Sequence, residues 1–318
     1  MEAVEGRGLN NLLPADGSDA LQSRIVEHLY CRCGCESLFD EESCGSKVRT
    51  STVMLLLGLQ VVEKGRPAEV CVILNKRSQQ VRQPGDLCCP GGTIERKLDP
   101  YIARLLELPF SPLSRWPYWS DFHRRQPLEA RLLSVLLATG LREGWEEMRL
   151  NPLALKFLGP LPSQCLLLFR RVIHPMVAWV SRQRRFAPSW EVERVVSIPL
   201  RHLLNPSFYG CYRLHVPPRL EWRFNGPRHD FPCFLYASEH GTEMLWGVTY
   251  RIVTLLMEIA FGFQPPELSA LPVIPGHLTD AYVTGKSGKA AGNRRSGVTR
   301  PSPDGASDGR GLSADGRR

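Results

Sequence analysis

The chain has 318 residues, 43% of them hydrophobic, enough to bury the core of one large domain or two small ones. Its formal charge of +8 points at first to a nucleic-acid partner, but residues 285–318 hold eight Lys/Arg against three Asp, a net of +5, leaving only +3 for the remainder. A folded nucleic-acid-binding surface is therefore not expected, and neither is a membrane partner: no run approaches eighteen apolar residues, and LWGVTYRIVTLLMEIAFGF (245–263) is interrupted by Arg251 and Glu258.

In chain order, residues 1–48 read as an N-terminal extension with one helix near DALQSRIVEHLY. MEAVEGRGLNN lacks the basic start and apolar core of an export leader, so a cytoplasmic location and reduced cysteines are expected. Cys31, Cys33, Cys35 and Cys44 follow His28 in CRCGCESLFDEESC, without the paired CxxC spacing of common zinc sites, so free thiols are the expectation.

VMLLLGLQVV (53–62) and EVCVILNKR (69–77), broken by KGRP, read as a hairpin. PGDLCCPGGTIERKLDP (84–100) reads as a loop whose Gly91–Gly92 pair permits close approach of backbone to a ligand. From Tyr101 to Gln126 an ordered excursion rich in Pro and Trp is expected; Trp116, Trp119 and Phe122 would either stack over a site or anchor the excursion to the core, the latter being the commoner use. PLEARLLSVLLATGLREGWEEMRL (127–150) has helical spacing and ends at Asn151–Pro152. Strands are expected at 166–180, 191–200, 212–216 and 234–238 and a helix at 246–262, an α/β or α+β sandwich with a mixed sheet. Residues 265–318 read as a Pro/Gly-rich, mostly disordered basic tail.

The chemistry is concentrated in LREGWEEM (141–148). On a helix, Glu143 lies beside both Glu146 and Glu147, and like charges at that spacing repel by a few tenths of a kcal/mol per pair. Either the segment is a solvated acidic turn, or the carboxylates serve a hard cation such as Mg²⁺, which takes one or two of them together with phosphate oxygens and water.

These residues resemble the Nudix hydrolases, whose box reads G x5 E x7 R E U x E E x G U, with U a bulky aliphatic residue. Gly92 can supply the first glycine, and Arg142, Glu143, Glu146, Glu147 and Leu150 the second half. LNKRSQQVRQPGDLCCPGG (74–92) is similar to the upstream signature of the coenzyme A diphosphatase branch, L x x R S x x L R x H x G x x x F P G G. It keeps Arg77, Ser78, Arg82, Gly85, Pro90, Gly91 and Gly92 in register, and HPMVAWV, WEVERVVSIPLRHLL and LWGVTYRIVTLL resemble later blocks of that branch. The resemblance spans residues 50–264 and implies a Nudix-like α/β/α sandwich over 49–264, with an insertion at about 100–127 inside the box.

Departures accompany it. The insertion separates the Gly-rich loop from the REXXEE helix, so the first box acid is open: six residues beyond Gly92 lies Leu98, with Asp99 one further and Glu95 nearby. Pro84 replaces the histidine, Cys89 the phenylalanine, Gly144 an aliphatic residue and Arg149 the box glycine. What the resemblance implies is Mg²⁺ or Mn²⁺ on Glu143, Glu146 and Glu147, with Glu143 and Arg142 catalytic. Arg77, Arg82, Gly91 and Gly92 would contact a small-molecule diphosphate substrate, with Glu95 and Asp99 as accessory acids. Glu191 and Glu193 are further carboxylate candidates, exposed strand-end acids being the commoner case, and His174 is expected to be structural. A homodimer is an open option. The substrate would be coenzyme A or another nucleoside diphosphate derivative, against the alternative of a non-catalytic module retaining the fold.

Overall fold

In the computed structural model, which describes residues 17–33, 49–63, 65–166, 171–224, 226–279 and 282, the apolar runs build one mixed sheet and a smaller second one. Helix α1 (Ser18–Cys33) precedes strands β1 (Arg49–Gln60), β2 (Glu69–Arg77), β3 (Leu87–Cys88) and β4 (Gly91–Thr93). Helices α2 (Asp99–Leu106), α3 (Trp119–Arg125) and α4 (Pro127–Met148) follow, then β5 (Leu155–Pro160), β6 (Gln164–Leu166), β7 (Arg171–Val180) and β8 (Val192–Pro199). These strands form one sheet in the order β3-β2-β1-β7-β5, with β4 on β1, β6 on β7 and β8 on β2. Strands β9 (Tyr209–His215), β10 (Arg228–Ser238), β11 (Gly241–Trp246) and β12 (Val273–His277) form the second, ordered β11-β10-β9-β12, with helix α5 (Gly247–Phe261) between β11 and β12 in the chain.

Strand β1 organises the first sheet. It pairs antiparallel with β2 and parallel with β7, and Met54, Leu55, Leu56 and Leu57 are all fully buried. Successive side chains point to opposite faces, so burial of all four means that helices or loops cover both sides. Helix α4 lies against the Met54 face, and it comes close because Gly140 has no side chain: a Cβ there would lie 2.6 Å from Met54 Sδ. This contact hangs the acidic end of α4 beside the β1–β4 edge.

The expected hairpin, the long helix and the helix near 246–262 are present. The stretch expected as one strand at 166–180 divides into β6 and β7, which pair antiparallel, and β5 and β11 form where no strand was expected. The Gly91–Gly92 segment, expected to lack regular structure, is strand β4, with Val53 opposite Gly91 and Thr52 opposite Gly92. Glycine fits here through close approach: a Cβ on Gly91 would overlap Thr52 O and lie 2.6 Å from Val53 Cα.

Within the N-terminal extension, helix α1 is not separate from the domain. Leu21, Ile25, Val26 and Leu29 of α1 are buried in the common core, and His28 Nδ1 lies 3.1 Å from Ile259 O. Cys31 is exposed and free, whereas Cys35, Cys44 and the Cys33 side chain lie outside the described residues. The expectation that every thiol is reduced does not hold, because Cys165 is disulfide-bonded.

The excursion at 100–127 is an anchored layer formed by α2, α3 and their connection. Trp116 is buried and donates from Nε1 to Leu158 O at 3.2 Å, Phe122 and Trp119 are also buried, and Tyr118 stacks on Tyr30 at 3.6 Å between ring centres. Of the two uses weighed for these aromatics, anchoring is the one observed. Part of the stretch expected as a tail from residue 265 is structured: β12 adds to the second sheet, pairing parallel with β9, while 283–318 lie outside the described residues. No helix among the described residues is long and apolar enough to cross a membrane.

Candidate active site

The last two turns of α4 deliver Arg142, Glu143, Glu146 and Glu147 to the β4 edge. Arg142 is the hub. Its Nε donates to Asp99 Oδ1 at 2.7 Å and its Nη2 to Asp99 Oδ2 at 3.2 Å, a bidentate pair with a fully buried carboxylate. Nη1 donates to Glu143 Oε1 and to Glu146 Oε2, both at 3.1 Å, and Nη2 also reaches Thr93 O at 3.2 Å. One guanidinium thus gathers three carboxylates, which is how the repulsion written into REXXEE is offset.

Asp99 is placed by local chemistry. Its backbone N–H donates to Glu95 O, Pro100 occupies the first turn of α2, and the Asp99 carboxylate turns back to accept from the Glu95 amide at 2.7 Å and from Thr139 Oγ1 at 2.7 Å. Of the three positions left open for the first box acid, Asp99 is the one on Arg142. Leu98 is exposed, and the exposed Glu95 side chain accepts from the Lys97 amide at 3.3 Å. Burial raises the Asp99 pKa, but the hydrogen bonds from Arg142, Thr139 and the Glu95 amide outweigh it and leave the carboxyl below its ordinary value. The Asp99 pair in turn raises the Arg142 pKa.

Glu147 is held apart from this clamp. Its Oε2 accepts from Asn75 Nδ2 at 2.8 Å, and Oε1 faces the Gly91 amide at a long 3.5 Å. Burial pushes its carboxyl up to about 7, against the lowering effect of those two donors. Burial also raises Glu143, with Arg142 opposing. Glu143 lies against Gly92, where a Cβ would overlap its carboxylate.

Two carboxylates, Glu143 and Glu147, therefore flank the bare backbone of Gly91–Gly92. These hard oxygen donors fit Mg²⁺ or Mn²⁺ in kind, since such ions commonly take one or two protein carboxylates and complete their shell with water and phosphate. The expected trio is not assembled: Glu146 shares Arg142 Nη1 with Glu143 but is exposed, and among the described residues no group of three or more His, Cys, Asp or Glu is arranged to hold a metal ion.

The remaining expected residues are dispersed. Arg77 Nε donates to Arg82 O at 2.7 Å, closing a loop on itself, and Arg82 is exposed. Glu191 is exposed, raises the Glu147 pKa through its charge, and accepts from the Ser78 amide through its backbone carbonyl. Glu193 instead joins Arg194 and Lys76 beside buried Glu243. His174 is buried, with Nδ1 2.7 Å from Ser163 Oγ, and burial holds its pKa down at about 4. Arg149 is not among the carboxylates: it caps α4 in a left-handed conformation, φ 55°, and its guanidinium lies 5.3 Å from the Trp145 ring centre. Sequence reading missed Asn75 and Thr139. Each is a fully buried polar side chain in an otherwise apolar run, the one available clue.

The two glycines should respond differently to alanine. Gly91→Ala meets backbone that cannot yield and is expected to cost about 1–3 kcal/mol. Gly92→Ala meets only the end of the Glu143 side chain, so its melting temperature should barely move while any carboxylate-dependent activity falls. Thermal melts beside turnover check this, and equal destabilisation by both would contradict it.

No protein-family profile matches the chain, and no curated protein is similar to it in sequence. Solved structures similar in fold include a Nudix hydrolase from Nitrosomonas europaea, at 12% identity over 73% of this chain and 81% of that one, TM-score 0.34. Another is the Nudix domain of Shewanella oneidensis NrtR complexed with ADP ribose, at 16% identity over 55% and 84%, TM-score 0.31. A third is a C. elegans Ap4A hydrolase, at 11% identity over 49% and 84%, TM-score 0.30. At such identities and scores these likenesses fix neither activity nor substrate, which rest on the side chains themselves.

Proposed function

We propose that this chain is a Nudix-type, divalent-metal-dependent hydrolase of a nucleoside diphosphate derivative, with coenzyme A or an acyl derivative as the first substrate. The observation that carries the reading is the division of labour in the acid cluster: Arg142 clamps Asp99, Glu143 and Glu146, while Glu147 stands apart on Asn75 with a pKa of about 7. A solvated acidic turn has no need of a buried aspartate 43 residues away to brace its arginine.

In this reading Glu143 and Glu147, on either side of Gly91–Gly92, hold the Mg²⁺ or Mn²⁺ ion. When bound, the ion would neutralise diphosphate oxygens and acidify a water. The chain's own groups do the rest. Arg142 keeps Glu143 and Glu146 aimed, Asp99 keeps Arg142 aimed, and the absent side chain of Gly92 lets the Glu143 carboxylate lie against β4. Arg77 and Arg82, at and just beyond the end of β2, would meet phosphate oxygens of the substrate. Water attacks one phosphorus, the bridging P–O bond breaks, and coenzyme A would yield 3′,5′-ADP and phosphopantetheine. The coenzyme A assignment is supported by the Arg77–Gly92 register.

Product analysis of the purified chain with Mg²⁺ or Mn²⁺ should show metal-dependent 3′,5′-ADP from coenzyme A. Nucleotide sugars, dinucleotides and NADH run beside it identify a different leaving group. No product from any of them with either metal would sink catalysis and leave a non-catalytic module as the better account.

A further inference from the structure

Loop 78–86 carries Arg82 and follows Arg77 directly, yet it is stitched to a segment almost two hundred residues away. Tyr282 donates its hydroxyl to Asp86 Oδ2 at 2.5 Å, and Trp246 Nε1 donates to Asp86 Oδ1 at 3.1 Å. The Gln83 amide donates to Tyr282 O at 3.0 Å, so the same residue binds the loop through both side chain and backbone. Tyr212 and Phe231 pack on Trp246 in edge-on geometry and extend the support into the second sheet.

The loop needs this support. Gln83 is a non-glycine residue at φ 55° and Gly85 follows at φ 80°. Such a conformation costs free energy and persists only where surrounding contacts over-determine it. Inside the loop the Arg77 amide donates to Asp86 O at 2.9 Å and the Gly85 amide to Arg77 O at 2.9 Å, closing the turn on Arg77, whose Nε holds Arg82 O. Burial raises the Asp86 pKa, with Tyr282, Trp246 and Arg77 countering, so this carboxylate is retained at a cost in solvation.

We infer that Tyr282, acting through Asp86 and Gln83 with Trp246 as second anchor, is a positioning residue that straps loop 78–86 in place and thereby sets Arg77 and Arg82 for the phosphates of the substrate. The inference rests on the hydrolase reading only for what those arginines meet. The strap itself does not depend on it.

The test uses full-length Tyr282→Phe and Tyr282→Ala. Amide hydrogen exchange without substrate should show protection across 78–86 falling about tenfold in Tyr282→Phe, the worth of one hydrogen bond to a charged group, and further in Tyr282→Ala, with β1 and α4 unchanged. With coenzyme A and Mg²⁺, KM should rise about tenfold while kcat stays within twofold. Asp86→Asn, which keeps an acceptor, should retain most of the wild-type KM; Asp86→Leu should match Tyr282→Phe, and combining the two should add nothing. Unchanged loop protection overturns the strap, as does protection lost equally everywhere, or a loosened loop with unaltered KM. If wild type turns over nothing, the hydrolase reading falls while the exchange data still decide whether Tyr282 holds the loop.

Discussion

Glu147→Gln should inactivate the protein and make it more stable. In the metal-free chain the Glu147 carboxyl is pushed up to about 7 from an ordinary 4.5, chiefly by burial. The sign follows from proton binding: between those values the folded state holds a proton that the unfolded state has released, so stability is full below about pH 4.5 and is lost as pH rises through about 7. Glu143 shifts in the same direction. The loss from Glu147 is on the order of 3 kcal/mol. Glutamine retains an acceptor for Asn75 Nδ2 and carries no charge, so chemical denaturation of metal-free E147Q should show a flatter pH dependence and greater stability than wild type at pH 8. Turnover should fall by at least roughly 10²-fold, because Glu147 is one of the two carboxylates that would hold the ion and disturbing even the outer partners of a metal site costs about 10–100-fold. Added Mg²⁺ at pH 8 should raise the wild-type melting temperature and raise that of E147Q less. A variant that lost activity and stability together would contradict the scheme, since Glu147 would then be a structural acid.

Arg142→Met carries the second large effect, of the opposite kind. Asp99 is fully buried, and Arg142 supplies both of its charged contacts. Removing one partner of a buried pair leaves an uncompensated charge and typically costs about 3–5 kcal/mol. Thr139 and the Glu95 amide remain as donors, which places the expected value toward the lower end. Asp99→Asn should cost less, about 1–2 kcal/mol, because Arg142 keeps Glu143, Glu146 and Thr93 O. Glu95→Gln should stay within about 0.5 kcal/mol, as for an exposed substitution outside the network. Urea denaturation of the three variants therefore separates the candidates for the first box acid. Matching losses in Glu95→Gln and Asp99→Asn would overturn the placement of Asp99.

Much of the frame can be read from local pattern. The apolar hairpin of β1 and β2, the helix that carries REXXEE and the helix at 247–261 announce themselves by periodicity and by the punctuation of KGRP and Asn151–Pro152. The presence of Arg142, Glu143, Glu146 and Glu147 on adjoining helical turns is likewise a property of spacing alone, because three- and four-residue separations are neighbours on any α-helix.

What tertiary structure decided was partnership across distance. Counting residues from Gly92 leads to Leu98, yet the turn at Glu95–Leu98 and the docking of α2 on α4 bring Asp99 to Arg142, and no linear rule counts across a separation of 43 residues. That Arg142 takes both Glu143 and Glu146 while Glu147 goes to Asn75 depended on where one guanidinium reached. Burial, which gives Glu147 its altered acidity and places Asn75 beside it, exists only once β2, β4 and α4 have met. The strand at 273–277 and the hold of Tyr282 on Asp86 belong to the same class: a short, weakly patterned segment becomes structure only when a sheet edge and a buried acceptor are already there to receive it.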